Sequence, residues 1–442
     1  MNLKKLLSNK DSILNKGFAS TLIKILGALS SYGLSFLIAR KFGAEGNGVF
    51  ALFMTYTVIL STFFYLGLDF FLVKRVSVLM VESRFKEVQY LYKKILKAYV
   101  APASGLILLA GIILYVQFDE LLFLLGAIGI MVNVFIDINS AVFRGLKMAE
   151  WFSFFTQFSK YFITIVLFLL PILSEEGSKN AVIFPYVISL ILNGAFSFFV
   201  LKNKLDKLKA GENKIDVKSD SILSIIKISK DFFFASVLII TLVWVDFILI
   251  DFFLNEEDAG IYSIALKLAT LVSFGFTAFN AFLAPRISEI HVQGNIKKLQ
   301  KVLTENFALV LPMLLIPFCT IIFFHDQLLG FFGDEFRPGW KVLLLLASGQ
   351  LINGIFGPVS LLLQMTNHQK LFQKILVWTF VLKLSLAFLF VNFWGIEGIA
   401  FASFLALSLW TVIGSFFVYK KVGVYSWFSF AEAKKLLTQL GK

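Results

Sequence analysis

With one cysteine and three histidines among 442 residues, the chain lacks the material for whole classes of chemistry. Cys319 has no second cysteine to pair with, which excludes disulfides, CxxC redox chemistry and cysteine-ligated zinc. His291, His325 and His368 are scattered, and no HExxH, GxSxG, phosphate-loop or paired-aspartate sugar-nucleotide motif occurs. Charge is scarce too. Only 16% of residues are charged against 58% hydrophobic, 53 of them Phe, and the mean hydropathy of +0.83 lies outside the range of soluble domains. The sequence therefore predicts a non-enzyme without cofactors, dissolved in lipid.

What is present is a series of long apolar windows. A helix crossing the hydrocarbon layer needs about 20 apolar residues, and windows of that kind fall near 18–39, 48–72, 97–116, 121–143, 153–173, 182–201, 232–254, 261–284, 307–324, 342–364, 373–394 and 397–418. The expected fold class is all-α, a polytopic membrane protein of about twelve spanning helices. The start, Met1 to Gly17, is polar, and the apolar stretch behind it is too long for a cleaved signal peptide, so it reads as the first permanent span.

The charges sort by side. If successive loops alternate across the membrane, only Arg40, Lys41, Lys179, Arg337 and Lys341 of the 41 basic residues fall on the side that carries Glu175, Glu176, Glu256, Glu257 and Asp258. Lys24, Lys160, Lys267 and Lys383 lie well inside spans, and the others, with Lys97 and Lys374 at window ends, share a side with both termini. That side is expected to be cytoplasmic, and the same bias accounts for the net charge of +13 without nucleic acid as a partner. The polar, lysine-rich stretch 202–230 follows the sixth window and reads as a cytoplasmic linker. It would join an N-lobe, 1–201, to a C-lobe with a short cytoplasmic tail, 231–442.

A repeat supports two halves. Gly48-Val-Phe-Ala opens the second window and Phe71-Leu-Val-Lys-Arg-Val-Ser77 closes it; Gly260-Ile-Tyr-Ser opens the eighth and Phe282-Leu-Ala-Pro-Arg-Ile-Ser288 closes it. Halves of six spans insert in the same orientation, which makes them parallel repeats of a kind known among transporters.

Ionisable residues stand inside the windows: Lys24, Lys160, Lys267 and Lys383, with Asp69, Asp137 and Asp246. Each costs about 2.5–3.5 kcal/mol at a helix centre facing lipid, which argues for an interior, aqueous location. At helical spacing Lys24 aligns with Ser20, Gly27 and Ser31; Lys160 with Ser153, Gln157 and Thr164; Asp137 with Asn133, Ser140 and Arg144; and Lys267 with Ser263, Thr270 and Thr277. The tenth window carries Gln350, Asn353, Gly357, Ser360 and Gln364 around Pro358. Polar stripes in both halves suggest a shared cavity. The bland readings are snorkelling for Lys24, an interfacial pairing of Asp69 with Lys74 and Arg75, a structural pair of Lys383 with Asp246 or Asp137, and simple helix packing for the Ser and Thr stripes. For Asp246 two readings stand side by side, a cation or proton site that couples transport to a gradient, and a salt bridge to a lysine.

At Ala39-Arg-Lys-Phe-Gly-Ala-Glu-Gly-Asn-Gly-Val-Phe50 the chain resembles the polysaccharide repeat-unit (Wzx-type) flippases of the multidrug/oligosaccharidyl-lipid/polysaccharide (MOP) exporter superfamily. The likeness continues through Leu66-Gly-Leu-Asp69, Val245-Asp246, Ala259-Gly-Ile-Tyr-Ser-Ile-Ala-Leu-Lys-Leu268 and Ala284-Pro-Arg-Ile-Ser288. It implies two six-helix lobes around a cationic cavity in a bacterial inner membrane, passing undecaprenyl-diphosphate-linked oligosaccharide to the outer leaflet by alternating access for O-antigen-like or capsule-like polysaccharide. A polymerase and chain-length proteins would be partners besides the lipids. Substrate-binding residues would be Lys24, Lys160, Lys267, Lys383, Arg144, Arg286, Asn353 and Gln350, with Asp246 and Asp137 for ion coupling and no metal. A drug antiporter of the same superfamily is the first alternative, against which the lysines count, because cationic cargo favours acids. A membrane glycosyltransferase or polymerase would need a larger outer loop than the stretch from His325 to Lys341, and a non-transporting assembly subunit is the last alternative.

Overall fold

The computed structural model describes residues 13–65, 67–100, 104–105, 121–170, 180–207 and 222–427. Most of the 97–116 window, half of the 202–230 stretch and both chain ends lie outside the described residues. Every regular element among the described residues is helical, as expected of a chain that must satisfy its backbone inside lipid.

The helices in order are α1 (Ile13–Tyr65), α2 (Leu68–Val81), α3 (Phe85–Ile95), α4 (Leu121–Gly145), α5 (Ala149–Ser153), a π turn (Phe154–Phe158), α6 (Ser159–Phe168) and α7 (Asn180–Asp206). They are followed by α8 (Ile222–Phe253), α9 (Glu256–Val292), α10 (Ile296–Phe332), a 3₁₀ turn (Asp334–Gly339), α11 (Trp340–Ile355), α12 (Val359–Met365) and α13 (Gln369–Val422). Adjacent windows are merged in two places. Windows one and two run as α1, broken at Gly43 with φ 64°, and the last two run as α13, broken at Gly395 with φ 55°. Glycine permits both left-handed breaks because it carries no Cβ. Six described helices are long and apolar enough to cross a membrane, or seven if the pair bent at Pro358 is one span. That is fewer than the twelve windows, because breaks join some windows, the π turn splits another, and most of the 97–116 window lies outside the described residues.

The chain forms two compact units. The first holds Met1–Phe42 and Val49–Trp244; the second holds Gly43–Gly48 and Val245–Lys442. The first half of α8 belongs to the first unit, where Phe233 meets Phe63 edge to face at 5.9 Å. The core of the first unit gathers Leu34, Ile38, Phe50, Phe53, Phe143, Phe155 and Tyr186. In the second, Leu283 and Ile287 of α9 pack with Leu299 and Leu303 of α10, Leu362 of α12 and Val418 of α13.

The sequence repeat has a structural counterpart within the second unit. A side chain on Gly48 would overlap the Glu256 carbonyl oxygen, and one on Gly260 would overlap the carbonyl oxygen of Ala44, four residues before Gly48 just as Glu256 is four before Gly260. The two segments thus cross backbone to backbone in a reciprocal contact that only small residues allow. The Asn47 amide donates to Ser263 Oγ at 3.0 Å beside the crossing, and Glu335 accepts the Ala44 N–H at 2.7 Å just after the break at Gly43.

Candidate functional site

In the first unit the polar groups converge between α4, α6 and α7. Lys160 at the start of α6 has Tyr161, Tyr186 and Asp137 as its electrostatic neighbours, and its ammonium lies 5.1 Å from the centre of the Tyr161 ring. Asp69 adds a second negative charge near Asp137. Lys160 and Asp137 are both half-buried. Asn133 Nδ2 and the Tyr186 hydroxyl, next to each other at the same place, are buried with no hydrogen-bond partner. A cation, a carboxylate, an amide and a phenol thus stand together between these helices.

Local sequence builds this arrangement. The α6–α7 contact is a polar zipper: Ser159 donates to Asn193 Oδ1, Asn193 Nδ2 donates to the Phe155 carbonyl at 2.9 Å, and Thr164 shares a hydrogen bond with Ser189 at 2.7 Å. On the α4 side Asn139 takes the Tyr92 hydroxyl at 2.6 Å and donates to Ser197 at 2.9 Å. Tyr65 donates to the Asp137 carbonyl at 3.1 Å. Such bonds between helices contribute about 0.6 kcal/mol each in membranes, so their number matters more than any one.

In the second unit Asp246 and Lys383 face each other. Their ion pair measures 2.9 Å with both side chains at most 7% exposed, and Asp246 Oδ2 also accepts the hydroxyls of Tyr262 at 2.7 Å and Ser403 at 2.8 Å. Two residues marked for separate roles, ion coupling and substrate binding, are thus each other's partner. Low dielectric drives the pairing, since a lone buried charge is costly and a hydrogen-bonded pair much less so.

The remaining predicted residues are spread out. Lys267 of α9 is enclosed but keeps accessible surface. Gln350 and Asn353 are half-buried on α11. Lys24 is exposed on a surface shared with Leu22, Ile25, Leu26 and Leu29. Arg144 is exposed, its guanidinium 4.9 Å from the Phe152 ring centre, and Arg286 is exposed at the far end of α9. The polar stripe drawn through Ser153, Gln157, Lys160 and Thr164 is a correction. The π turn inserts a residue between Ser153, which bonds Ser20 of α1 at 2.7 Å, and Lys160, so the two no longer share a face. Sequence reasoning also missed Asn193, Tyr186, Tyr262 and Ser403. Asn193 carried a signal, an amide in an otherwise apolar window that has to find partners.

Among known proteins, a family model described as polysaccharide biosynthesis protein matches residues 13–291. The probable low-salt glycan biosynthesis flippase Agl15 of Haloferax volcanii is 24% identical over 182 residues, 41% of this chain and 39% of that protein. The chain thus spans about two fifths of the length of this curated relative. The inward-facing conformation of a multidrug resistance MATE family transporter of the MOP superfamily is similar at a TM-score of 0.65 and 13% identity, over 92% of this chain and 98% of that one. A MOP superfamily transporter from Pyrococcus furiosus, described as having a binding pocket of reverse polarity, gives 0.61 at 12% identity over 93% and 95%. The likeness establishes the fold, a MOP-type transporter fold.

Proposed function

Because the chain belongs to the polysaccharide biosynthesis protein family, we propose that it is a flippase that moves lipid-linked oligosaccharide repeat units across a cytoplasmic membrane for surface polysaccharide assembly. The observation that carries the reading is the half-buried Lys160, set in an apolar helix beside Asp137, Tyr161 and Tyr186. The cargo joins a polyprenyl diphosphate, of the undecaprenyl type, to a glycan. A diphosphate loses much hydration on leaving the headgroup layer, and an ammonium in low-dielectric surroundings offsets part of that loss. Lys160 and Lys267 take the phosphates, and Asn133 donates to a cargo oxygen. Lys24, Arg144 and Arg286 are the outer cations that meet the headgroup. Gln350 and Asn353 serve the sugars.

Asp137, next to Lys160, is the coupling carboxylate: binding of an anion changes its proton affinity, and a gradient drives the cycle through that change. Asp246 couples in the second unit only if its pair with Lys383 opens during transport. Alternating access needs no bound nucleotide, and the membrane is the bacterial inner membrane with both termini cytoplasmic. A polymerase and chain-length proteins act downstream on the flipped units.

The test is reconstitution into vesicles with a fluorescent polyprenyl-diphosphate oligosaccharide, read by quenching of outer-leaflet fluorophore. Flipping well above that of protein-free vesicles is expected. Export of a cationic drug with no flipping would make the protein an antiporter instead.

A further inference from the structure

We infer that Asn193 is a positioning residue for Lys160, acting by holding open the π turn at Phe154–Phe158; the inference rests on the reading of Lys160 as a cargo-binding cation. One residue added to a helix rotates its C-terminal part by about 100° relative to its N-terminal part. In an uninterrupted helix Lys160, seven residues after Ser153, would share its face and point at α1, where Ser153 meets Ser20. With the π turn in place, the Lys160 ammonium lies over the Tyr161 ring at 5.1 Å, with Asp137 of α4 and Tyr186 of α7 as electrostatic neighbours.

A π turn gives up regular helical bonding and persists only where something else takes up the freed groups. Here that partner is identified. Asn193 is fully buried, its Nδ2 donates to the Phe155 carbonyl inside the turn, and its Oδ1 accepts the Ser159 hydroxyl at the turn's end. One amide thus clamps both ends of the inserted turn from the neighbouring helix. Gln157 is fixed on the opposite side, its carbonyl lying against Gly27 of α1, where no side chain fits. The next residue after Ser159 is Lys160, so the clamp sets its direction with no flexible joint between.

The test reads the direction of residue 160 without relying on transport. In a Cys319→Ser background, Lys160→Cys is reacted in vesicles with a cationic and an anionic methanethiosulfonate of equal size. Beside Asp137 the cationic reagent should react at least tenfold faster than the anionic one. Adding Asn193→Leu should bring the ratio to about one, whereas Ser159→Ala, which leaves the bond to Phe155 intact, should preserve it. Deleting Thr156 removes the inserted residue without touching Asn193 and should abolish the ratio by itself, and Asn193→Ser, which is smaller and breaks the same two bonds, carries the test if Asn193→Leu does not fold. A ratio unchanged by Asn193→Leu, or by the deletion, overturns the inference. Flipping that survives Lys160→Ala would instead overturn the cargo-binding role and leave the positioning result standing.

Discussion

Removing Asp246 alone from the Asp246–Lys383 pair should cost more than removing both partners, and the two losses should not add. In Lys383→Met the Asp246 carboxylate stays buried with only the hydroxyls of Tyr262 and Ser403 to hold it, and such an orphaned charge costs about 3–5 kcal/mol. Asp246→Leu removes the carboxylate from beside the Lys383 ammonium and also takes the acceptor from Tyr262 and Ser403, so it should cost at least as much. In the double variant no charge remains. The cost is then that of two hydroxyls left without their acceptor, about 1–3 kcal/mol each, a loss that Asp246→Leu also carries, so the double variant should be more stable than Asp246→Leu. The assay is a double-mutant cycle by equilibrium unfolding in mixed micelles, with a coupling energy above about 3 kcal/mol as the expected result. Additive losses would refute the reasoning, since they would mean that neither charge depends on the other.

Two shorter predictions accompany this one. Gly260→Leu drives a side chain into the Ala44 backbone, whose carbonyl offers no way to yield, and should abolish recovery of folded protein from detergent extracts, whereas Gly105→Ala, at a glycine with open space around it, should leave recovery unchanged. A single cysteine placed between residues 208 and 221 in a Cys319→Ser background should react with an impermeant maleimide in inverted but not right-side-out vesicles, and reaction in the reverse pattern would invert the topology.

Legibility in the sequence differs from residue to residue. The all-helical membrane class is set by composition, and the Gly48 and Gly260 repeat was visible as a pattern because a backbone crossing demands glycine on both segments. The Asp246–Lys383 pair needed tertiary structure, since periodicity places each residue on its own helix and says nothing about which helices meet. The direction of Lys160 was misread for a different reason. No glycine or proline marks the π turn, and its clamp, Asn193, lies on another helix, so a regular period was applied across a turn that breaks it.

The central claim, a half-buried cation that binds a lipid diphosphate, is tested most directly by comparing vesicle flipping of one oligosaccharide on diphosphate and monophosphate carriers, for the native protein, Lys160→Arg and Lys160→Ala. The native protein should flip the diphosphate carrier faster, Lys160→Arg should keep part of that preference, and Lys160→Ala should lose most of the rate together with the preference. Equal rates on both carriers, or an unimpaired Lys160→Ala, would contradict the account.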